Sequence, residues 1–233
     1  MVIHMDRRYF FDQVRGTLFK GSLRQQQVEG INAILDYWER HHDRADPRWL
    51  AYILATAFHE TAYTMQPVRE TLADSDEKAV EILDRAYAAG KLSWVKTVYW
   101  LPDEDGKSWL GRGLVQLTHK RNYEAMSRLT GIDLVADPAR AMEMQTAVTI
   151  LVEGMIAGSF APHKLADHLN AEKADWVNAR RIVNGADRAE KLAEYGRTFH
   201  AALRRDGVCG LWQRLMAWLS HAIARRSRDE PRS

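Results

Sequence analysis

Apolar residues return every three or four positions along most of this chain. Over 22–40, Val28, Ile31, Ile34, Leu35 and Trp38 share one stripe, and Ser22 and Gln25 are spaced as a capping-box pair, so a first helix is expected there. Pro47 stands where a second helix would open. Leu50, Ile53, Leu54, Ala57 and Phe58 then give a helix over 48–65 one buried side. Over 76–90, Val80, Leu83 and Tyr87 point inward and Gly90 supplies the C-cap. Asp137 and Pro138 open a helix that runs to about Gly158. Its apolar residues, from Met142 to Ile156, cover nearly the whole circumference, as in an enclosed central helix. Two more helices fit 174–183 and 187–205, separated by Asn184–Gly185, and a last one fits 211–226.

The period changes once. Val95, Thr97 and Tyr99 alternate with Lys96, Val98 and Trp100, and Asp105–Gly106 divides this run from the SWLGRGLVQLT that follows. A β-hairpin is expected there. The fold class read from the pattern is mainly α with one small β-hairpin element. No internal repeat or low-complexity linker interrupts it, so one domain over 1–207 is expected, followed by a basic amphipathic tail over 208–233.

Charge and cysteine content narrow the function classes. The 33 Lys+Arg nearly balance the 31 Asp+Glu, and seven of those arginines lie in residues 204–233 against three acids. The body is therefore slightly acidic, which argues against nucleic acid as a partner, since duplex binding needs a basic surface. Cys209 is the only cysteine, so neither an intramolecular disulfide nor a cysteine-built zinc site is expected. His41–His42 reads as a solvated turn rather than a metal site. Gly111-Arg112-Gly113 starts like a dinucleotide fingerprint but lacks its third glycine, and no phosphate loop or nucleophile elbow is present. No metal or cofactor is expected, and a monomer is. No apolar run approaches the ~18 residues of a membrane span. The opening MVIHMDRRYFFDQVRG has no apolar core of a secretory signal.

Several polar residues suggest chemistry. Glu60 falls at the border of an apolar helix face, where lost hydration suits a general acid; an ordinary boundary glutamate paired with His59 is the plainer alternative. Glu70 lies ten residues on, in the adjoining loop, and two carboxylates so placed suit glycoside hydrolysis. In GRGLVQLTHKRNY, Gln116 and Thr118 alternate with apolar Val115 and Leu117, which puts both polar groups on one face of an extended run. Asn122 and Tyr123 add an amide and an aromatic ring. Such a row offers partners for sugar hydroxyls and a flat face for a sugar ring.

FHET at 58–61, GRGLVQLTHKRNY at 111–123 and RIVNGA at 181–186 resemble, in order, the landmarks of glycoside hydrolase family 19, over about residues 9–203. That family holds chitinases and the related peptidoglycan-cleaving phage endolysins, and the missing disulfides favour the endolysin branch. The resemblance implies a lysozyme-like fold and an inverting hydrolase. Glu60 would be its general acid and Glu70 its general base, with Glu77 and Glu104 as alternatives for the base. Thr118 would hold the attacking water, with Gln116, Asn122, Tyr123 and Asn184 in the sugar cleft. His59 and Arg197 would orient the carboxyls. The family reads His-Glu-Thr-Gly, whereas Ala62 and Tyr63 follow Thr61 here.

The expected substrate is peptidoglycan, with chitin as the alternative and non-catalytic wall binding as a second. Lacking an export signal, such an enzyme would be made in the cytoplasm and reach the wall through a holin or by injection. The stretch 211–228 carries Leu211, Leu215, Leu219 and Ile223 beside Trp212, with Arg225, Arg226 and Arg228 at its end. It would either dock on the core or lie on an anionic membrane or lipopolysaccharide surface.

Overall fold

A computed structural model describes residues 5–204; the helix expected over 211–226, and the tail with its surface contact, lie outside them. Among the described residues the chain is mainly helical, with eight α-helices and one antiparallel pair of two-residue strands. The order is α1 (Arg7–Thr17), α2 (Gln25–His41), α3 (Pro47–Glu60), β1 (Val68–Arg69), α4 (Asp76–Ala88), β2 (Arg112–Gly113), α5 (Lys120–Thr130), α6 (Met144–Ala157), α7 (Leu165–His168) and α8 (Ala189–Leu203).

At the centre is α3. Asp46 caps it by accepting the Arg48 N–H at 2.9 Å, and Pro47 takes the first position, where its missing N–H costs nothing. Every residue from Leu50 to Phe58 is buried, all round rather than along one side. The reason is that α8 runs along one flank while α2 and α6 cover others. The close approach of α8 depends on Gly196, where an added Cβ would come within 2.9 Å of Trp176 Cε3. The second enclosed helix is α6, with Gly158 left-handed at its end (φ +74°), but it begins at Met144: Asp137 and Pro138 open a separate 3-10 turn, Pro138–Met142, and Glu143 breaks the helix with extended backbone (φ −70°, ψ 129°). On the far side Phe10 of α1 stacks on Phe199 of α8, ring centroids 6.3 Å apart. A smaller apolar cluster of Ala79, Leu83, Trp100 and Leu110 sits beneath α4.

Several boundaries differ from the sequence reading. Helix α2 starts at Gln25, and Gln27 rather than Gln25 folds back, its Oε1 accepting the Arg24 N–H at 2.9 Å. Helix α3 stops at Glu60, five residues early. Thr61 terminates it: its hydroxyl donates to the Ala57 carbonyl at 2.7 Å and accepts the Met65 N–H at 3.0 Å, and Ala62 and Tyr63 turn left-handed. Tyr87 is on the surface, edge-on to Trp100. Residues 174–183 form only a 3-10 turn, Asn178–Ile182. His42 is pinned to α6, its Nε2 lying 2.8 Å from Glu153 Oε1, so it is not a solvated turn residue.

The largest correction concerns the β element. The segment 99–109 keeps a hairpin outline, with Asp103 N–H donating to the Lys107 carbonyl at 2.9 Å and Gly106 at φ +74°, but no strands form along it. The strands are β1 and β2, paired Val68 with Gly113 and Arg69 with Arg112. Gly113 holds φ +87°, and a Cβ there would sit 2.8 Å from the Ala141 carbonyl oxygen.

Candidate active site

Glu60 is the last residue of α3, and its side chain is 15% exposed. Arg180, itself 2% exposed, donates from Nη1 to Glu60 Oε1 at 2.7 Å and from Nε to the Asp187 carbonyl at 3.2 Å. The guanidinium is thus fixed from two sides, and it holds one carboxyl oxygen. Oε2 of Glu60 has no hydrogen-bond partner among the described residues. Next to it, the His59 Nδ1 is buried without a partner. Burial, with the cations Arg180, Arg188 and Lys191 nearby, holds the His59 imidazole below its ordinary pKa despite the Glu60 charge. His59 is therefore a neutral ring beside the acid at pH 7.

Glu70 follows directly on β1, and its N–H extends the ladder to the Gly111 carbonyl at 2.7 Å. Both of its carboxyl oxygens accept hydrogen bonds. Tyr99 donates its hydroxyl to Oε1 at 2.7 Å, and Gly111 donates its N–H to Oε2 at 2.8 Å. Burial and the Glu70 charge both raise the Tyr99 phenol well above its ordinary value, so it stays a donor. The His119 ring packs on Tyr99, centroids 4.3 Å apart. Its pKa is lowered by burial, then by Arg121, against the smaller opposing pull of Glu70.

Three of the residues singled out from the sequence meet at Gly111. A Cβ there would lie 2.9 Å from Gln116 Oε1, 3.2 Å from Thr118 Cγ2 and 3.3 Å from Glu70 Cβ. Gln116 donates to the Val68 carbonyl at 2.9 Å, tying the segment to β1. The Thr118 hydroxyl has no hydrogen-bond partner among the described residues, which leaves it free for an incoming group. The route to this convergence differs from the expected one. Gln116 is left-handed (φ +54°), so 114–116 is a tight turn closed by an Arg112–Leu117 bridge rather than part of an extended run.

Other expected positions fall elsewhere. Tyr123 is fully buried; its hydroxyl donates to the Leu110 carbonyl and accepts from Arg112 Nη1, both at 2.9 Å, so it braces the site from beneath instead of facing a sugar. Asn122 donates to the Thr118 carbonyl at 2.8 Å and orients that residue. Asn184 is exposed and closes a local turn by accepting the Gly185 N–H at 2.8 Å. Arg197 is exposed on α8 and pairs with neither carboxylate; Arg180 fills the role expected of it, because Arg180 is the arginine enclosed against the end of α3. Glu77 and Glu104 are exposed, and neither has a hydrogen bond to the residues around Gly111.

The floor of the site is Arg112, 2% exposed. It donates to the Ser108 carbonyl at 3.0 Å and to Tyr123, and it pairs with Asp76 at the start of α4, which also takes Arg69 at 2.6 Å. Burial alone would raise the Asp76 carboxyl, but the hydrogen bonds from Arg112 and Arg69 outweigh it and keep it below its ordinary value. Backbone strain gathers on the segments that carry these residues. Of nine described non-glycine residues with positive φ, seven follow Glu60 or Glu70 or flank Thr118: Ala62, Tyr63, Met65, Thr71, Leu72, Gln116 and His119. Strained residues persist where the surrounding structure over-determines them, and they collect at functional sites. No family model matches this chain, and no curated protein matches it.

Proposed function

We propose that this protein is a lysozyme-like glycoside hydrolase, similar to the endolysin branch of family 19, that cleaves β-1,4 bonds of peptidoglycan with inversion. The observation that carries the reading is the unequal setting of the two glutamates. Arg180 grips one oxygen of Glu60, and Oε2, without a partner among the described residues, is the oxygen that would take up a proton from solvent and pass it to the glycosidic oxygen. Glu70 accepts from two fixed donors, and Thr118, whose hydroxyl has no partner among the described residues, borders the same Gly111. A carboxylate oriented in this way, with an unengaged hydroxyl across one glycine, suits the activation of one water. The water attacks the anomeric carbon from the face opposite the leaving group, Glu70 takes its proton, and Glu60 protonates the departing oxygen, so the configuration inverts. His59, kept neutral, adds no second charge to the Arg180–Glu60 pair.

Wild-type protein with purified sacculi tests this. Mass spectrometry should find disaccharide muropeptides with new reducing ends, and NMR taken within the first minutes should find them as the α-anomer. Products only from chitin would move the substrate to poly-N-acetylglucosamine. An initial β-anomer would exclude inversion, and binding without new reducing ends would make the protein a non-catalytic wall binder.

A further inference from the structure

A groove of about 720 Å³ opens beside Glu70, lined by Trp94, Val95, Lys96, Thr97, Tyr99, His119 and Arg121. It shares a wall with the candidate site, because Tyr99 both lines it and donates to Glu70, and His119 both lines it and packs on Tyr99. Two features mark it. Trp94 is 72% exposed, the most exposed of the large apolar side chains among the described residues. Holding an indole in water sacrifices much apolar burial, and a flat ring at a groove edge is a platform for the apolar face of a sugar. Lys96 and Arg121 are also exposed on the groove, and neither makes an ion pair or hydrogen bond with a described residue. Arg69, Arg112 and Arg180, by contrast, are spent on Asp76 or Glu60.

We infer that this groove is a subsite for an N-acetylated amino-sugar bearing an acidic peptide: the sugar ring lies on Trp94 and the carboxylates of the peptide stem meet Lys96 and Arg121. The inference rests on the hydrolase reading for its sugar strand and adds what sets the substrate class. A neutral poly-N-acetylglucosamine strand gains only the Trp94 face, whereas a peptide-substituted strand gains both the face and the two cations. The groove therefore selects peptidoglycan over chitin. Charge-assisted bonds from a guanidinium to a carboxylate are short and directional, so Arg121 contributes more than Lys96.

The test is calorimetric binding by full-length Glu60→Gln protein of two soluble probes, a disaccharide-tetrapeptide and chitotetraose. The disaccharide-tetrapeptide should bind at least tenfold more tightly at 50 mM salt, with the advantage shrinking at 500 mM. Adding Lys96→Ala and Arg121→Ala should abolish that preference and leave chitotetraose affinity unchanged. Adding Trp94→Ala should weaken both probes, by about tenfold. All three positions are exposed, so folding is retained, and circular dichroism verifies it. Equal affinity for the two probes, or a preference that survives loss of both cations, overturns the inference; so does Trp94→Ala with no effect on either. Failure of the hydrolase reading is separable. If wild-type protein releases no reducing ends while the binding pattern holds, the groove is a wall-binding subsite and only the catalytic reading falls.

Discussion

Replacing Arg180 with methionine removes the cation and keeps most of the volume. In the folded protein Arg180 is 2% exposed and Glu60 15%, so the substitution strands a carboxylate that water reaches only in part. Breaking a buried ion pair by removing one partner costs about 3–5 kcal/mol. Because Glu60 keeps some solvent contact, about 2–4 kcal/mol is expected, including roughly 1 kcal/mol for the lost bond to the Asp187 carbonyl. The diagnostic quantity is the coupling. Glu60→Gln removes the stranded charge, so the double variant should be less destabilised than the sum of the single variants, by 1 kcal/mol or more in this estimate. Urea denaturation at pH 7, monitored by far-ultraviolet circular dichroism with a common m-value, supplies all four corners of the cycle. Additivity within about 0.5 kcal/mol, or a loss below about 1 kcal/mol for Arg180→Met alone, would refute the claim that these residues act as a fixed pair.

Two further perturbations address the Glu70 side. Gly111→Ala places a methyl against Gln116, Thr118 and Glu70 together; overpacking costs about 1–3 kcal/mol, and reducing-end release should fall by two orders of magnitude or more while the fold survives, so wild-type turnover in a folded variant would contradict the crowding. Asp76→Asn should cost about 2–3 kcal/mol at pH 7 by leaving Arg112 half-paired. The Asp76 carboxyl is held below its unfolded value, so its contribution is fully present above about pH 4 and is lost as pH falls through the folded value. The stability curves of wild type and variant should therefore converge toward pH 2, and a gap that stays constant from pH 7 to pH 2 would exclude this role.

The helices were legible because burial imposes a local period: α2, α4 and α8 fall within a few residues of where that period puts them, and α6 ends where expected although a 3-10 turn replaces its first part. The strands were not legible. Residues 95–100 alternate like a strand, yet the pairing that forms joins Val68–Arg69 to Arg112–Gly113, two residues each and over forty positions apart in sequence. A pair so short leaves no periodic trace. The alternation that pairs Gln116 with Thr118 does bring them together, but around Gly111 beside a tight turn, since no sequence rule signals a left-handed glutamine. Tyr123 is not legible, because a tyrosine in a polar segment does not reveal whether its hydroxyl faces water or a buried arginine. In the sequence Arg180 and Arg181 look alike. The two separate only once the turn Asn178–Ile182 is seen to bury the first and expose the second. Tyr99 carried no signal of its own, because its role depends on the loop that brings it to Glu70.

The central claim is that Glu60 delivers the proton that breaks the glycosidic bond. Its most direct measurement is the rate of reducing-end release from purified sacculi by Glu60→Gln, with folding verified by circular dichroism and substrate binding verified by sacculus pull-down. General acid catalysis contributes about 10²–10⁴-fold. Release should fall by at least that factor while the variant still binds sacculi. Wild-type release by folded Glu60→Gln protein would contradict it.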